Sequence, residues 1–102
     1  MNAKILVACA NGAGTSLMMK MTAERVTQKL NMGVDKIHHC ALSEGVSSAR
    51  QYDIVFAPLN FLNMYEDAAK AGVTVIDLRN VLSDAEMEEK LKETGAAEKY
   101  SA

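Results

Sequence analysis

Cys9 closes a short apolar run, KILVAC (4–9), and a polar, glycine-bearing segment, ANGAGTS (10–16), follows at once. Gly12 and Gly14 permit positive φ and let a backbone come close to a ligand. Asn11 tolerates the same conformations, and Thr15 or Ser16 is suited to cap a helix beginning there. Successive amides of such a turn, joined by the unpaired amides of a helix start, make a cradle for an anion. A dianionic phosphoryl group is its natural occupant. The same field favours the thiolate of Cys9, and a thiolate in a phosphate cradle is a nucleophile positioned for phosphorus. The expected site is Cys9 as nucleophile, with Ala10, Asn11, Gly12, Ala13, Gly14, Thr15 and Ser16 as the phosphate-binding segment. Against this stands a plainer reading, in which Cys9 is a small buried hydrophobe ending a strand.

The phosphate chemistry can be narrowed. A nucleotide P-loop needs a lysine before its Ser/Thr, but Gly14 is followed directly by Thr15 and Ser16. The dinucleotide fingerprint fails because Leu17 stands where its third glycine belongs. A cysteine phosphatase clamps its phosphoryl oxygens with an arginine six residues after the cysteine; that position is Thr15. Such an enzyme also needs an acid for the leaving oxygen. In small phosphatases it precedes a proline, and the sole proline, Pro58, follows Ala57. A cysteine that accepts a phosphoryl group and passes it on needs neither part. The small cysteine phosphatase or arsenate reductase remains as an alternative, and a binding module that merely holds an anion as a third reading.

These residues require elements to position them. KILVAC (4–9), KIHHCAL (36–42), DIVFAP (53–58) and VTVIDL (73–78) read as strands, the second weakened by its histidines. Met19, Ala23, Val26 and Leu30 share one face of a helix, with Gly33 suited to the position after its end. Residues 43–52 are moderately helical, and 60–72 read as a helix closed by Gly72. Ser83 with Glu86 forms a capping box that starts a last helix, ended by Gly95. The tail AAEKYSA is expected to fray. Alternating apolar strands and helices predict an α/β three-layer sandwich: a four-stranded parallel sheet of order 2-1-3-4 with helices on both faces. In that order the chain reverses direction beside the end of the first strand, where open sheets bind ligands. Cys9 falls there.

Other residues invite weaker readings. His38 and His39 precede Cys40, but neighbours on a strand point to opposite faces, so they cannot easily share a metal. No metal and no cofactor are expected. Cys40 reads as a buried thiol near Cys9, within range of a disulfide only if the demanding geometry is met. The surplus of Leu17, Met18 and Met21 beside the core position Met19 suggests a plastic apolar patch for partners, or further core filling. Asn60 or Phe61, after the third strand, would border the site. Arg79 and Asn80 lie farther along the edge and read as non-catalytic. The charges of DAEMEEKLKE (84–93) read as a solvated helix face.

Composition sets outer bounds. The chain has 102 residues, 49 % hydrophobic, which suits a single domain, residues 1–102. A formal net charge of −2 with 5 % aromatics and no tryptophan gives no sign of nucleic-acid binding. Two cysteines are too few for a disulfide scaffold. The first residues lack the pattern of a secretory signal, and no run approaches the roughly 20 apolar residues of a membrane span. A cytoplasmic location without direct membrane insertion is expected.

The stretch ILVACANGAGTSLMMKM (5–21), with HCAL (39–42) and RNVLSDAEMEEKL (79–91), resembles the IIB components of the bacterial phosphoenolpyruvate-dependent sugar phosphotransferase system (PTS). The likeness is to the lactose/ascorbate/galactitol group, the ascorbate type foremost. It implies a fold like that of small cysteine phosphatases and a phosphocarrier domain. A IIA protein would present a phosphohistidine to Cys9, and the phosphocysteine would then dock on a membrane IIC transporter and phosphorylate an entering sugar. Residues 10–16 would supply the cradle, with backbone amides in the place of a metal.

Overall fold

A computed structural model describes residues 2–9, 13–80 and 82–101, with side chains of 13–16, 60 and 62 excepted. Four parallel strands, β1 (Ala3–Cys9), β2 (Val34–Ala41), β3 (Ile54–Pro58) and β4 (Thr74–Leu78), form one sheet in the order β2-β1-β3-β4. Five helices connect and flank them: α1 (Ala13–Lys29), α2 (Leu42–Ser48), α3 (Glu66–Lys70), α4 (Asp84–Glu93) and α5 (Ala96–Lys99). The predicted order is the observed one. β1 is central and buried from Ile5 to Cys9, so its alternating side chains feed two separate cores.

On one face Ile5, Val7 and Cys9 pack with Met19, Ala23 and Val26 of α1, Met87 and Leu91 of α4, and Tyr100. On the other, Leu6 and Ala8 pack with Cys40, Leu42, Val55, Ala57 and Tyr65. Tyr65 is among the largest fully buried side chains. Its hydroxyl donates to the Leu42 carbonyl at 3.0 Å, which meets its only strong polar demand. That bond ties the chain leaving β3 to the start of α2.

Helix ends follow local chemistry, with one correction. α1 is closed by Asn31, at φ +56°, and not by Gly33. The Met32 amide donates to Thr27 O at 2.9 Å and the Asn31 amide to Gln28 O at 3.1 Å. These are the two bonds of a Schellman ending, with Asn at the left-handed position. Gly33 instead donates to the Tyr100 carbonyl at 2.6 Å. The capping expectation for α4 holds: Ser83 Oγ accepts from the Glu86 amide at 3.2 Å. The Glu86 carboxylate, however, accepts from the Arg79 and Asn80 amides, each at 2.8 Å, and so braces the loop after β4.

Two other expectations change. Residues 60–72 are not one α-helix: a 3₁₀ run spans Leu59–Tyr65 and only Glu66–Lys70 is α-helical. Asn60 and Asn63 are poor helix formers, and the tighter run ends where Tyr65 enters the core. Gly72, at φ +103°, does close the segment. The tail does not fray at once, since α5 turns Tyr100 into the first core, where it is 4 % exposed, and Ser101 pairs with Met32. The charges of α4 are also engaged: Asp84 pairs with Arg25 at 2.9 Å, Glu88 with Lys29 at 3.1 Å and Lys90 with Asp77 at 3.2 Å.

Candidate functional site

The order β2-β1-β3-β4 reverses direction between β1 and β3, so the site expected of such a sheet lies beyond their carboxyl ends. Cys9 is the last residue of β1 and α1 begins at Ala13. Of the predicted phosphate-binding segment, Ala10, Asn11 and Gly12 lie outside the described residues. Ala13, Gly14, Thr15 and Ser16 form the first turn of α1. Thr15 and Ser16 are therefore inside the helix, not at its cap, because the helix starts at Ala13, three residues before a Thr15 cap would begin it and four before a Ser16 cap would. The amides of Ala13, Gly14 and Thr15 belong to the set that no intrahelical carbonyl satisfies. At 17 residues α1 is long enough to present a full positive end toward the terminus of β1.

Cys9 is not a surface thiol. It is 2 % exposed and belongs to the first core. Cys40, also free, is 6 % exposed in the second core. Register places Cys9 beside Ala41 and Cys40 beside Ala8, so the two thiols face opposite sides of the sheet. Strand alternation thereby excludes the disulfide that nearness in sequence pattern had left open. Burial raises the Cys40 thiol to about 11, with Glu44 adding to the effect. Burial likewise pushes the Tyr65 phenol upward, with Cys40 contributing. Both remain protonated and inert near neutral pH.

The two histidines divide as expected. His38 lies beside Leu6 and His39 beside Val7, residues of different cores. The His38 ring stacks on Tyr52 at 6.4 Å, and its Nε2 is 3.8 Å from Glu44. No group of three or more His, Cys, Asp or Glu that could hold a metal exists among the described residues. Phe61 packs against the second core, on the side away from Cys9, so it does not border the thiol. The side chain of Asn60 is outside the description.

In the amino-terminal half of α1, Leu17, Met18 and Met21 are about half exposed, at 45, 52 and 50 %. They are surface, not core filling. Met18, Met21, Thr22 and Arg25 line a cavity of about 180 Å³ together with Leu82. Leu82 was missed from sequence, where it is one apolar residue before a cap. Its place beside α1 follows from the brace of Glu86 and from the Arg25–Asp84 pair, neither of which has a local sequence signal.

Residues 4–93 match the family described as "PTS system, Lactose/Cellobiose specific IIB subunit". The "Ascorbate-specific PTS system EIIB component" of Salmonella choleraesuis (strain SC-B67) is 31 % identical over 93 residues, covering 91 % of this chain and 89 % of that protein. The protein of the same description from Escherichia coli O157:H7 is similar to the same extent, 31 % over 93 residues with equal coverage. Among solved structures, the lactose-specific IIB domain from Streptococcus pneumoniae superposes with a TM-score of 0.65 at 21 % identity, over 91 % of this chain and 97 % of that one. At that identity the superposition speaks for the fold.

Proposed function

Because the chain belongs to the lactose/cellobiose-specific IIB family of the sugar phosphotransferase system, and so is a phosphotransferase component, we propose that Cys9 is the residue that carries the phosphoryl group. The observation supporting it is the position of Cys9: last in the central strand, at the reversal of strand order, directly ahead of α1. A IIA protein presents a phosphohistidine. The Cys9 sulfur forms an S–P bond as the P–N bond breaks, and the freed imidazole takes up a proton. A sugar hydroxyl at a membrane IIC transporter then attacks phosphorus, the S–P bond breaks, and the proton shed by the hydroxyl restores the Cys9 thiol. The first-turn amides of α1, with residues 10–12, hold the phosphoryl oxygens, as helix starts commonly do.

Burial adds a condition. A thiol that is 2 % exposed has to be uncovered as the donor docks, so free solution reagents reach it slowly. The apolar patch of Leu17, Met18, Met21 and Leu82 is the surface on which docking partners sit, because methionines adapt to more than one shape. None of the described helices is long and apolar enough to cross a membrane, which fits recruitment to the transporter by contact. The sugar is ascorbate-like, in keeping with the names of the relatives at 31 % identity. The phosphatase alternative lacks its arginine, Thr15 standing in that place.

The test is mass measurement after incubation with a phosphorylated IIA donor. One phosphoryl group is gained by the native chain and none by Cys9→Ser. A label recovered on His38 or His39 rejects the cysteine assignment, and steady hydrolysis of an aryl phosphate without a donor supports the phosphatase instead.

A further inference from the structure

A chain of polar contacts holds Leu82 beside α1. Met18, Met21, Thr22 and Arg25 follow one another at helical spacing and share one face of α1. Thr22, 2 % exposed, donates from Oγ1 to the Met18 carbonyl at 3.0 Å. Arg25 Nη2 donates to that same Oγ1 at 3.1 Å and to Asp84 Oδ1 at 2.9 Å, while Nε donates to Asp84 Oδ2 at 3.1 Å. The guanidinium thus meets one carboxylate side-on through two nitrogens, a planar match that an ammonium cannot make. Asp84 opens α4 two residues after Leu82. On the other side, the Leu82 amide donates to Asn80 Oδ1 at 3.0 Å, and Glu86 holds the Arg79 and Asn80 amides. Leu82 is therefore fixed from both sides where it lines the cavity of about 180 Å³ with Met18, Met21, Thr22 and Arg25. One turn farther along both helices, Lys29 pairs with Glu88 at 3.1 Å, and neither of these two lines the cavity.

Resting on the reading of the Leu17, Met18, Met21 and Leu82 patch as the docking surface, we infer that Arg25 is a positioning residue for phosphoryl uptake. Clamped on Asp84, it sets the spacing of Leu82 from Met18 and Met21, and so shapes a socket for one apolar side chain of the phosphorylated donor. The size fits, since a cavity of about 150 Å³ already admits a benzene-sized group. Both partners of the clamp are about half exposed, so the pair adds little to folding. Its effect lies in pre-organisation. Without it, the donor has to order Leu82 against α1 as it binds, and that ordering weakens the complex. Arg25 does not touch the reacting atoms in this scheme, so the transfer step itself is unchanged.

The experiment reads the initial rate of phosphoryl gain by mass against the concentration of phosphorylated IIA donor, with a urea midpoint for each variant. Arg25→Gln, Arg25→Lys and Asp84→Ala each raise the half-maximal donor concentration about threefold or more, while the rate at saturating donor and the urea midpoint stay near native. Arg25→Gln combined with Asp84→Ala rises no further than either alone, because each single change already opens the clamp. Lys29→Gln, which breaks the neighbouring pair between the same helices, stays native. Native donor dependence in Arg25→Gln, where Leu82→Gln raises it, overturns the inference and leaves the docking surface standing. An effect of Arg25→Gln that Asp84→Ala lacks also overturns it, since Arg25 would then meet the donor directly. An equal loss in Lys29→Gln does the same, as the sign of a general loosening between α1 and α4. Should Arg25→Gln fail to fold, Asp84→Ala against Lys29→Gln decides in its place. Native donor dependence in Leu82→Gln, Met18→Gln and Met21→Gln alike removes the docking reading and this inference with it. If the native chain gains no phosphoryl group, the reading of Cys9 falls first, a result distinct from all of these.

Discussion

Cys9 and Cys40 end adjacent strands one register position apart, yet their side chains enter different cores on opposite faces of the sheet. The protein thus keeps one thiol beside the start of α1 and seals the other under α2. Gly45 of α2 packs close over that thiol: a Cβ added there would stand 3.3 Å from Cys40 Sγ. The two thiols share a sheet and not a chemistry.

Mild oxidation is therefore expected to yield no Cys9–Cys40 crosslink. Peptide mapping without reductant checks this. Recovery of a Cys9–Cys40 peptide as a major product would mean that β2 or β1 can twist to bring both sulfurs to one side, contrary to the register.

Gly45→Ala is expected to destabilise by about 1–3 kcal/mol. Alanine in a helix gains at most ~1 kcal/mol over glycine. Against that, the new Cβ would stand 2.5 Å from the Tyr65 hydroxyl, 3.2 Å from Ala8 Cβ and 3.3 Å from Cys40 Sγ. The hydroxyl cannot retreat without losing its bond to Leu42 O. A urea midpoint equal to or above the native one counts against the packing described.

Stability is expected to fall on the alkaline side. Folding holds Cys40 protonated up to about 11, above its ordinary value of 9.0. Between those values the unfolded chain releases a proton that the folded chain keeps, so stability drops as pH rises through that window. Tyr65, shifted the same way, extends the drop upward. Cys40→Ala should flatten the fall between pH 9 and 11 by no more than about 2 kcal/mol. Urea midpoints across that range measure it, and equal slopes in both proteins would deny the burial effect.

Met18→Gln and Met21→Gln should leave the unfolding free energy nearly unchanged, within about 0.5 kcal/mol, because both side chains are half exposed and the helix propensities match. Their effect belongs to partner binding. The donor concentration for half-maximal phosphorylation of Cys9 rises several-fold, while the rate at saturating donor holds. If both kinetic parameters stay native, the patch is not the docking surface.

Periodicity and caps made much of this protein readable in advance. Four apolar runs matched four strands within two residues at each end, and the buried stripe of Met19, Ala23 and Val26 was visible at its helical spacing. Ser83 and Gly95 bounded α4 by chemistry that acts over a few residues. Where a local signal met a competing tertiary demand, the latter won. Gly33 was free to close α1, but its amide serves Tyr100, and Asn31 took the left-handed turn. The tail looked polar apart from one tyrosine, and that tyrosine is what docks it.

The sequence by itself determined the parallel sheet, its strand order and the placing of Cys9 between a central strand and a helix start, because burial pattern and short-range caps are encoded residue by residue. Only the tertiary structure decided that Cys9 is covered, that Cys40 and His38 lie on the far face, that His39 shares the face of Cys9, and that Leu82 joins Met18 and Met21. The reason is physical. Which face a strand residue serves depends on its register with a neighbouring strand, and which loop meets which helix depends on contacts between residues far apart in the chain.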